Sequence, residues 1–175
     1  KGRKLTCTFT VRPEWFLSFP DLLRPRLSWN NYWNLSLKEG RCAPCLYVSG
    51  SFTSREGGDR GSFQANLFQD VAMVQEVLIR PDRPGWQEEL REAWRLVLRI
   101  LRRLGARHVH AYASDPAYEP PKVAEGWLEG FLAGLGFKHG WDSEDGKVVV
   151  RRLEPARKPI ELTLTAENHV SRVEI

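Results

Sequence analysis

The chain has 175 residues, 42% of them hydrophobic and 27% charged, with a formal net charge of +4, which is the make-up of one globular domain with one good core. No apolar run approaches the roughly 20 residues of a membrane-spanning helix, so a helical anchor within these residues is excluded. The chain opens on Lys1, which leaves a processed targeting segment open, and the default compartment is the cytoplasm.

Residues 5–12 alternate apolar and polar (Leu-Thr-Cys-Thr-Phe-Thr-Val-Arg) as a strand does. An aromatic segment at 13–20 leads into a predicted helical stretch over about 21–37, despite Pro25. Trp15, Phe16, Phe19, Trp29, Tyr32 and Trp33 either line a pocket or form core or a protein interface. Cys42 and Cys45 follow as a Cys-x-x-Cys pair. A structural zinc needs four ligands and there is no second pair; Cys7 with His108 or His139 completes a set only if the fold gathers them. A redox pair belongs at a helix start, whereas Cys45 opens an apparent strand. Structural or incidental cysteines are therefore the favoured reading, and no metal site is assigned.

Residues 46–53 and 62–68 read as a β-hairpin around the turn Ser54-Arg-Glu-Gly-Gly-Asp-Arg-Gly61. Its glycines suggest a phosphate loop, but no helix follows, so a flexible turn is favoured. Val71 to Arg80 is a buried strand broken by Pro81-Asp-Arg-Pro-Gly85. The period then changes. Trp86, Leu90, Trp94, Val97, Leu98, Leu101 and Leu104 share one helical face, with Gly105 where a left-handed cap is needed. A second strand and a second helix, over about 121–136 and ending in Leu-Gly-Phe137, complete a strand-helix-strand-helix unit across 71–137.

Open α/β units bind ligands at the carboxyl ends of their strands, where a turn and helix start present backbone N–H groups. Residues 77–137 resemble the acyl-CoA-binding half of the GNAT-type N-acetyltransferases. In that family a strand enters a loop, Arg/Gln-x-x-Gly-x-Gly/Ala, whose amides hold the cofactor pyrophosphate, and a later helix ends in Gly-Phe. Pro81 and Gly85 fall where the family's proline and first loop glycine fall. Pro84 stands at the basic position, and Gln87 and Glu89 at the later small ones. The resemblance implies a GNAT-like α/β fold, a mixed central sheet flanked by helices, over residues 1–153, with 154–175 as a linker and an extra C-terminal strand or hairpin. It further implies an acyl-CoA-dependent N-acetyltransferase taking acetyl-CoA and a small-molecule or protein amine. The cofactor site would use Val77, Leu78, Ile79, Arg83, Gly85, Trp86 and Gln87.

The departures sharpen an alternative. Pro84 has no N–H to donate, and Glu88, Glu89 and Glu92 favour the helix dipole but repel an anion. Many family members carry a general-acid tyrosine four residues before the final glycine; here Leu132 stands there, and leucine donates no proton. On this fold either another group takes that role, the thiolate leaves without help, or the protein does not acetylate; Tyr112 and Tyr118 lie near the preceding strand end, where exposed or half-buried tyrosines are common, and Tyr112 is the candidate acid. Glu76 interrupts an apolar strand, where burial suits a carboxylate to base chemistry; the plainer reading turns Gln75 or Glu76 to the wetter sheet face. A non-catalytic GNAT-like module that binds or assembles with protein is the competing function.

Arg91, Arg95, Arg99, Arg102 and Arg103 follow the outer side of the first helix. A solvated face with acids one turn ahead explains them better than a nucleic-acid surface, because no recognition helix or stacking motif accompanies them. Glu154-Pro-Ala-Arg-Lys-Pro159 reads as a linker. Residues 160–175 alternate as one or two strands that either pair with another chain, a homo-oligomer or a protein partner, or cover a sheet edge.

Overall fold

The computed structural model describes residues 5–16, 43–114, 118, 123–143, 146–160 and 169–173. Two long strands open it, β1 (Leu5–Phe16) and β2 (Ala43–Ser54), followed by β3 (Asp59–Phe68) and β4 (Val71–Ile79). Then come α1 (Trp86–Arg103), β5 (His108–Tyr112), α2 (Trp127–Gly134), β6 (Lys138–Ser143), β7 (Gly146–Arg152) and β8 (His169–Val173). All eight strands form one mixed sheet in the order β6-β7-β5-β4-β3-β2-β1-β8. The expected mixed α/β sheet with an extra C-terminal strand is the fold found. The helix predicted over about 21–37, its aromatic cluster and Cys42 lie outside the described residues.

Period-2 alternation decides which way each strand faces. Leu5, Cys7, Phe9 and Val11 of β1 are buried under α1, while Thr8 and Arg12 are exposed on the other face. On that second face hydroxyls pair across strands, Thr6 with Thr53 at 2.6 Å and Thr10 with Ser49 at 3.3 Å. The helix α1 supplies the facing stripe, burying Leu90, Ala93, Trp94, Val97, Ile100 and Leu101. Its end is as the sequence requires, for Gly105 has φ 105°, in the left-handed region open to glycine.

β4 is parallel to β5, joined through α1, and the two pair only between Val71–Val74 and His108–Ala111. Opposite, on β3, the register steps from Gln64↔Glu76 to Ala65↔Val74, so Gln75 is an extra residue, a β-bulge that bends β4. The strand then runs on to Ile79 beyond its last pairing with β5. A wedge opens between the two.

The second helix is shorter than its periodicity suggests. Gly126 takes φ 76° as its N-cap, so Val123 to Gly126 are not helical although Val123 continues the four-residue spacing. Residues 154–160 are held to α1: Arg102 donates to the carbonyls of Glu154 and Pro155, Arg103 to that of Lys158. Beyond them, residues 169–173 pair antiparallel with β1 of the same chain. The tail thus covers its own sheet edge there, and two arginines of the basic stripe are engaged in holding the linker.

Candidate functional site

The wedge between β4 and β5 gathers Gln75, Glu76, Val77, Ala111, Tyr112 and Ser114 around a cleft of about 20 Å³, room for about one water. Glu76 is half-buried beside the bulge, with exposed Gln75 next to it, and Tyr112 is half-buried at the end of β5. The two residues expected to do acid-base chemistry thus share one cleft although 36 positions apart in sequence (112 − 76). Val77 and Ile79 are 3% and 1% exposed on the core face, while Leu78 is half-buried on the other.

At the end of β4 the loop turns into α1 through Gly85, left-handed at φ 84° with no side-chain cap on the helix. The first-turn N–H groups of a helix have no intrahelical acceptor, so the backbone donors a phosphate needs are retained beyond Pro84. Arg83 and Gln87 are exposed beside them. A cleft of about 360 Å³ borders this turn, lined by Ser54, Arg55, Glu56, Arg83, Gly85 and Glu89. A second, of about 410 Å³, lies across the strand end against Ser51, Gly61, Ser62, Leu78 and Arg80. It opens on the face that carries Glu76, because Ser51, Ser62 and Leu78 stand in one cross-strand row and Glu76 in the next.

Glu89 does not face the loop as a bare charge. Only 5% exposed, like Arg60, it accepts from Arg60 Nε at 3.1 Å and Nη2 at 2.9 Å, and from Arg83 Nε at 3.3 Å and Nη2 at 3.0 Å. Burial pushes its pKa up, but hydrogen bonds and charge from the two guanidiniums outweigh this and leave it below the usual carboxylate range. Arg60 also reaches Asp82 and the Arg80 carbonyl, each at 2.9 Å. The hydrogen bond to Glu89 is the main cause of its raised pKa. The acid that the sequence sets against an anion is therefore neutralised from β3 and from the loop. Arg60 escapes sequence reading: it is one arginine in a glycine-rich turn, and only folding carries it to a partner 29 residues away.

Tyr118 occupies the strand end. Its hydroxyl accepts from the Ile79 N–H at 2.8 Å and donates to the Ile79 carbonyl at 3.1 Å. The ring is 3% exposed and stacks on Trp86, centroids 5.2 Å apart and planes 3° from parallel. Trp127 leans on both rings, and Phe131 stacks on Trp127 at 5.0 Å. Trp86 thus sits at the expected place but turns its ring inward. Leu132, at the position of the family's tyrosine, is fully buried.

No His, Cys, Asp or Glu group among the described residues is arranged to hold a metal. Cys7 and Cys45 are both buried; Asn66 Nδ2 lies 3.5 Å from Cys45 Sγ and accepts at Oδ1 from Gln75. Burial pushes the Cys7 thiol up to about 12. No described helix is long and apolar enough to cross a membrane.

No protein-family model matches the chain, and no curated protein matches it in sequence. Solved structures do. The PaiA N-acetyltransferase of Thermoplasma acidophilum in complex with coenzyme A is 10% identical, covering 70% of this chain and 68% of its own, with a TM-score of 0.47. The ribosomal-protein-S18-alanine N-acetyltransferase of Escherichia coli is 13% identical over 87% and 99% of the two chains, TM-score 0.45. A GNAT family N-acetyltransferase (YhbS) of Escherichia coli in complex with CoA is 15% identical over 87% and 83%, TM-score 0.44. The fold expected from the sequence, a mixed central sheet flanked by helices, is the architecture of the chain itself.

The residues present fit an acyl-CoA at two places. The start of α1 keeps uncapped amides with a neutralised Glu89 beneath them. At the end of β4, Ile79 offers an N–H and a C=O that Tyr118 now satisfies with one donor and one acceptor, the complement an amide presents.

Proposed function

We propose that the chain is an acyl-CoA-dependent N-acetyltransferase, with acetyl-CoA as donor and a small-molecule or protein amine as acceptor. The observation that supports it most is the parting of β4 from β5, which brings Glu76 and Tyr112 from separate strands to one cleft at the carboxyl end of the sheet. The cofactor, when bound, supplies the acetyl group as a thioester. Backbone groups of Val77 and Ile79 would hold its amide-bearing arm, and the amides of Gly85 and Trp86, with Arg83 and Gln87 beside them, its phosphates. Leu78 would bound the arm from the acceptor side.

The acceptor would enter from the face that carries Glu76, through the cleft of about 410 Å³. Glu76 takes the proton from its ammonium or amine nitrogen, and the bulge at Gln75 turns the carboxylate to that task. Tyr112 holds a proton at its hydroxyl in the same cleft and takes the general-acid role that Leu132 cannot fill. An acceptor screen followed by release of free CoA thiol tests the assignment. Glu76→Gln should keep the fold and lose transfer by 100-fold or more, on the order of a general base's contribution; unchanged turnover removes Glu76 from the mechanism.

One observation favours a second reading, a GNAT-like module without catalysis that binds or assembles with protein: Tyr118 and Trp86 fill the strand end. Strand β8 at the edge of the sheet would then be the surface for a homo-oligomer or protein partner. Nucleic acid is a weaker partner for either reading, with Arg102 and Arg103 tied to the linker. Loss of binding to acetyl-CoA in the wild type and in every variant that frees Ile79 would favour the module.

A further inference from the structure

We infer that Tyr118 is a built-in occupant of the cofactor slot, a self-ligand that acyl-CoA must displace, so that its displacement sets the protein's affinity for the cofactor. This rests on the acyl-CoA reading of the site. Three features carry it. The Tyr118 hydroxyl engages both polar groups of one residue, the Ile79 N–H at 2.8 Å and C=O at 3.1 Å. Ile79 lies past the last β4–β5 pair, so among the described residues no neighbouring strand satisfies these groups on that side; the Tyr118 side chain does.

The ring is wedged between Trp86, the first residue of α1, and Trp127, the first residue of α2. One side chain therefore ties together β4 and the starts of both helices that border the slot. Finally, the cleft that remains between Glu76 and Tyr112 is about 20 Å³. It admits about one water and no acetyl group. A productive complex thus requires the closed arrangement to open, and the Tyr118 hydrogen bonds hold β4 at Ile79, three residues beyond Glu76.

A closed state that competes with ligand weakens apparent affinity by the fraction of molecules that are open. Tyr118→Phe tests this with little risk to the fold, because the ring and its stacking on Trp86 remain while both hydrogen bonds to Ile79 are lost. Acetyl-CoA affinity is measured by calorimetry on wild type and Tyr118→Phe, and amide hydrogen exchange is followed at Ile79 in each, free and with cofactor. The inference expects Tyr118→Phe to bind at least about tenfold more tightly, the effect of losing one to two ordinary hydrogen bonds from the closed state. Ile79 exchange should speed up in the free variant and slow again when cofactor is added. Equal or weaker binding by a folded Tyr118→Phe, with wild type binding normally, overturns the inference and leaves the acyl-CoA reading standing. Absence of binding in both proteins, with Ile79 exchange faster in the variant, overturns it by removing the acyl-CoA reading itself.

Discussion

Replacing Glu89 tests whether the loop is organised by its two arginines. The carboxylate is 5% exposed and accepts four charge-assisted hydrogen bonds, two from Arg60 and two from Arg83. Glu89→Ala leaves the equally buried Arg60 guanidinium with only Asp82 and the Arg80 carbonyl, so the loss should approach the lower end of the about 3–5 kcal/mol that breaking a buried pair costs. The Arg83 side chain is 47% exposed, so solvent screens its share, and Arg83→Ala should cost less than about 1 kcal/mol. The double variant Arg60→Met, Glu89→Leu removes both charges together and should lie within about 1 kcal/mol of wild type. Urea unfolding at pH 7 gives all three values. The pKa of Glu89 is depressed in the folded protein, so its contribution is full above its unfolded pKa of about 4.3 and is lost as pH falls through the lower folded value. The gap between wild type and Glu89→Gln should be wide at pH 6–7 and close in strong acid. A loss from Arg83→Ala as large as that from Glu89→Ala, or a gap that persists undiminished at the acid end, would show that Arg60 is not the main partner of Glu89.

Other outcomes follow from packing and burial. A methyl group on Gly61 would lie 1.9 Å from the Leu78 carbonyl oxygen, so Gly61→Ala should cost about 3 kcal/mol by forcing β3 from β4, read as a lower urea midpoint. Gly85→Ala meets no atom within 4 Å and should cost about 1 kcal/mol, for its left-handed backbone alone. Leu132→Tyr, which would place a hydroxyl in a fully buried site, overfills it and should cost about 1–3 kcal/mol, read as a lower urea midpoint. Cys7, with its pKa pushed up to about 12, should alkylate at pH 8 only as fast as the protein unfolds, followed by peptide mass spectrometry; rapid labelling of the native protein would contradict its burial.

What could be read from the chain was what local physics controls. The apolar residues spaced from Trp86 to Leu104, and Gly105 after them, locate α1 within one residue because spacing and capping are local. The alternation in 5–12 and the hairpin around 54–61 located strands, though β1 runs on to Phe16. The four-residue spacing of Val123, Trp127, Phe131 and Leu135 extends the expected second helix through Gly126, whose left-handed conformation stops it. The site was legible only as a strand end with a turn. Glu89 looked like an obstacle to an anion because its partner Arg60 comes from another strand, and no sequence signal joins a turn arginine to a helix glutamate. Tyr118 stood out only as a tyrosine near a strand end; its grip on Ile79 depends on where two strands part, which the bulge at Gln75 and the sheet order decide together.

The central claim is that this fold holds acyl-CoA at the end of β4, and titration of the purified protein with acetyl-CoA by calorimetry, beside a thermal-shift series, tests it most directly. Saturable binding tighter than about 1 mM, with a melting temperature that climbs with cofactor concentration, is the predicted result. No heat and no shift at millimolar acetyl-CoA, in wild type and in Tyr118→Phe alike, would contradict it and turn the search for this protein's role toward protein partners.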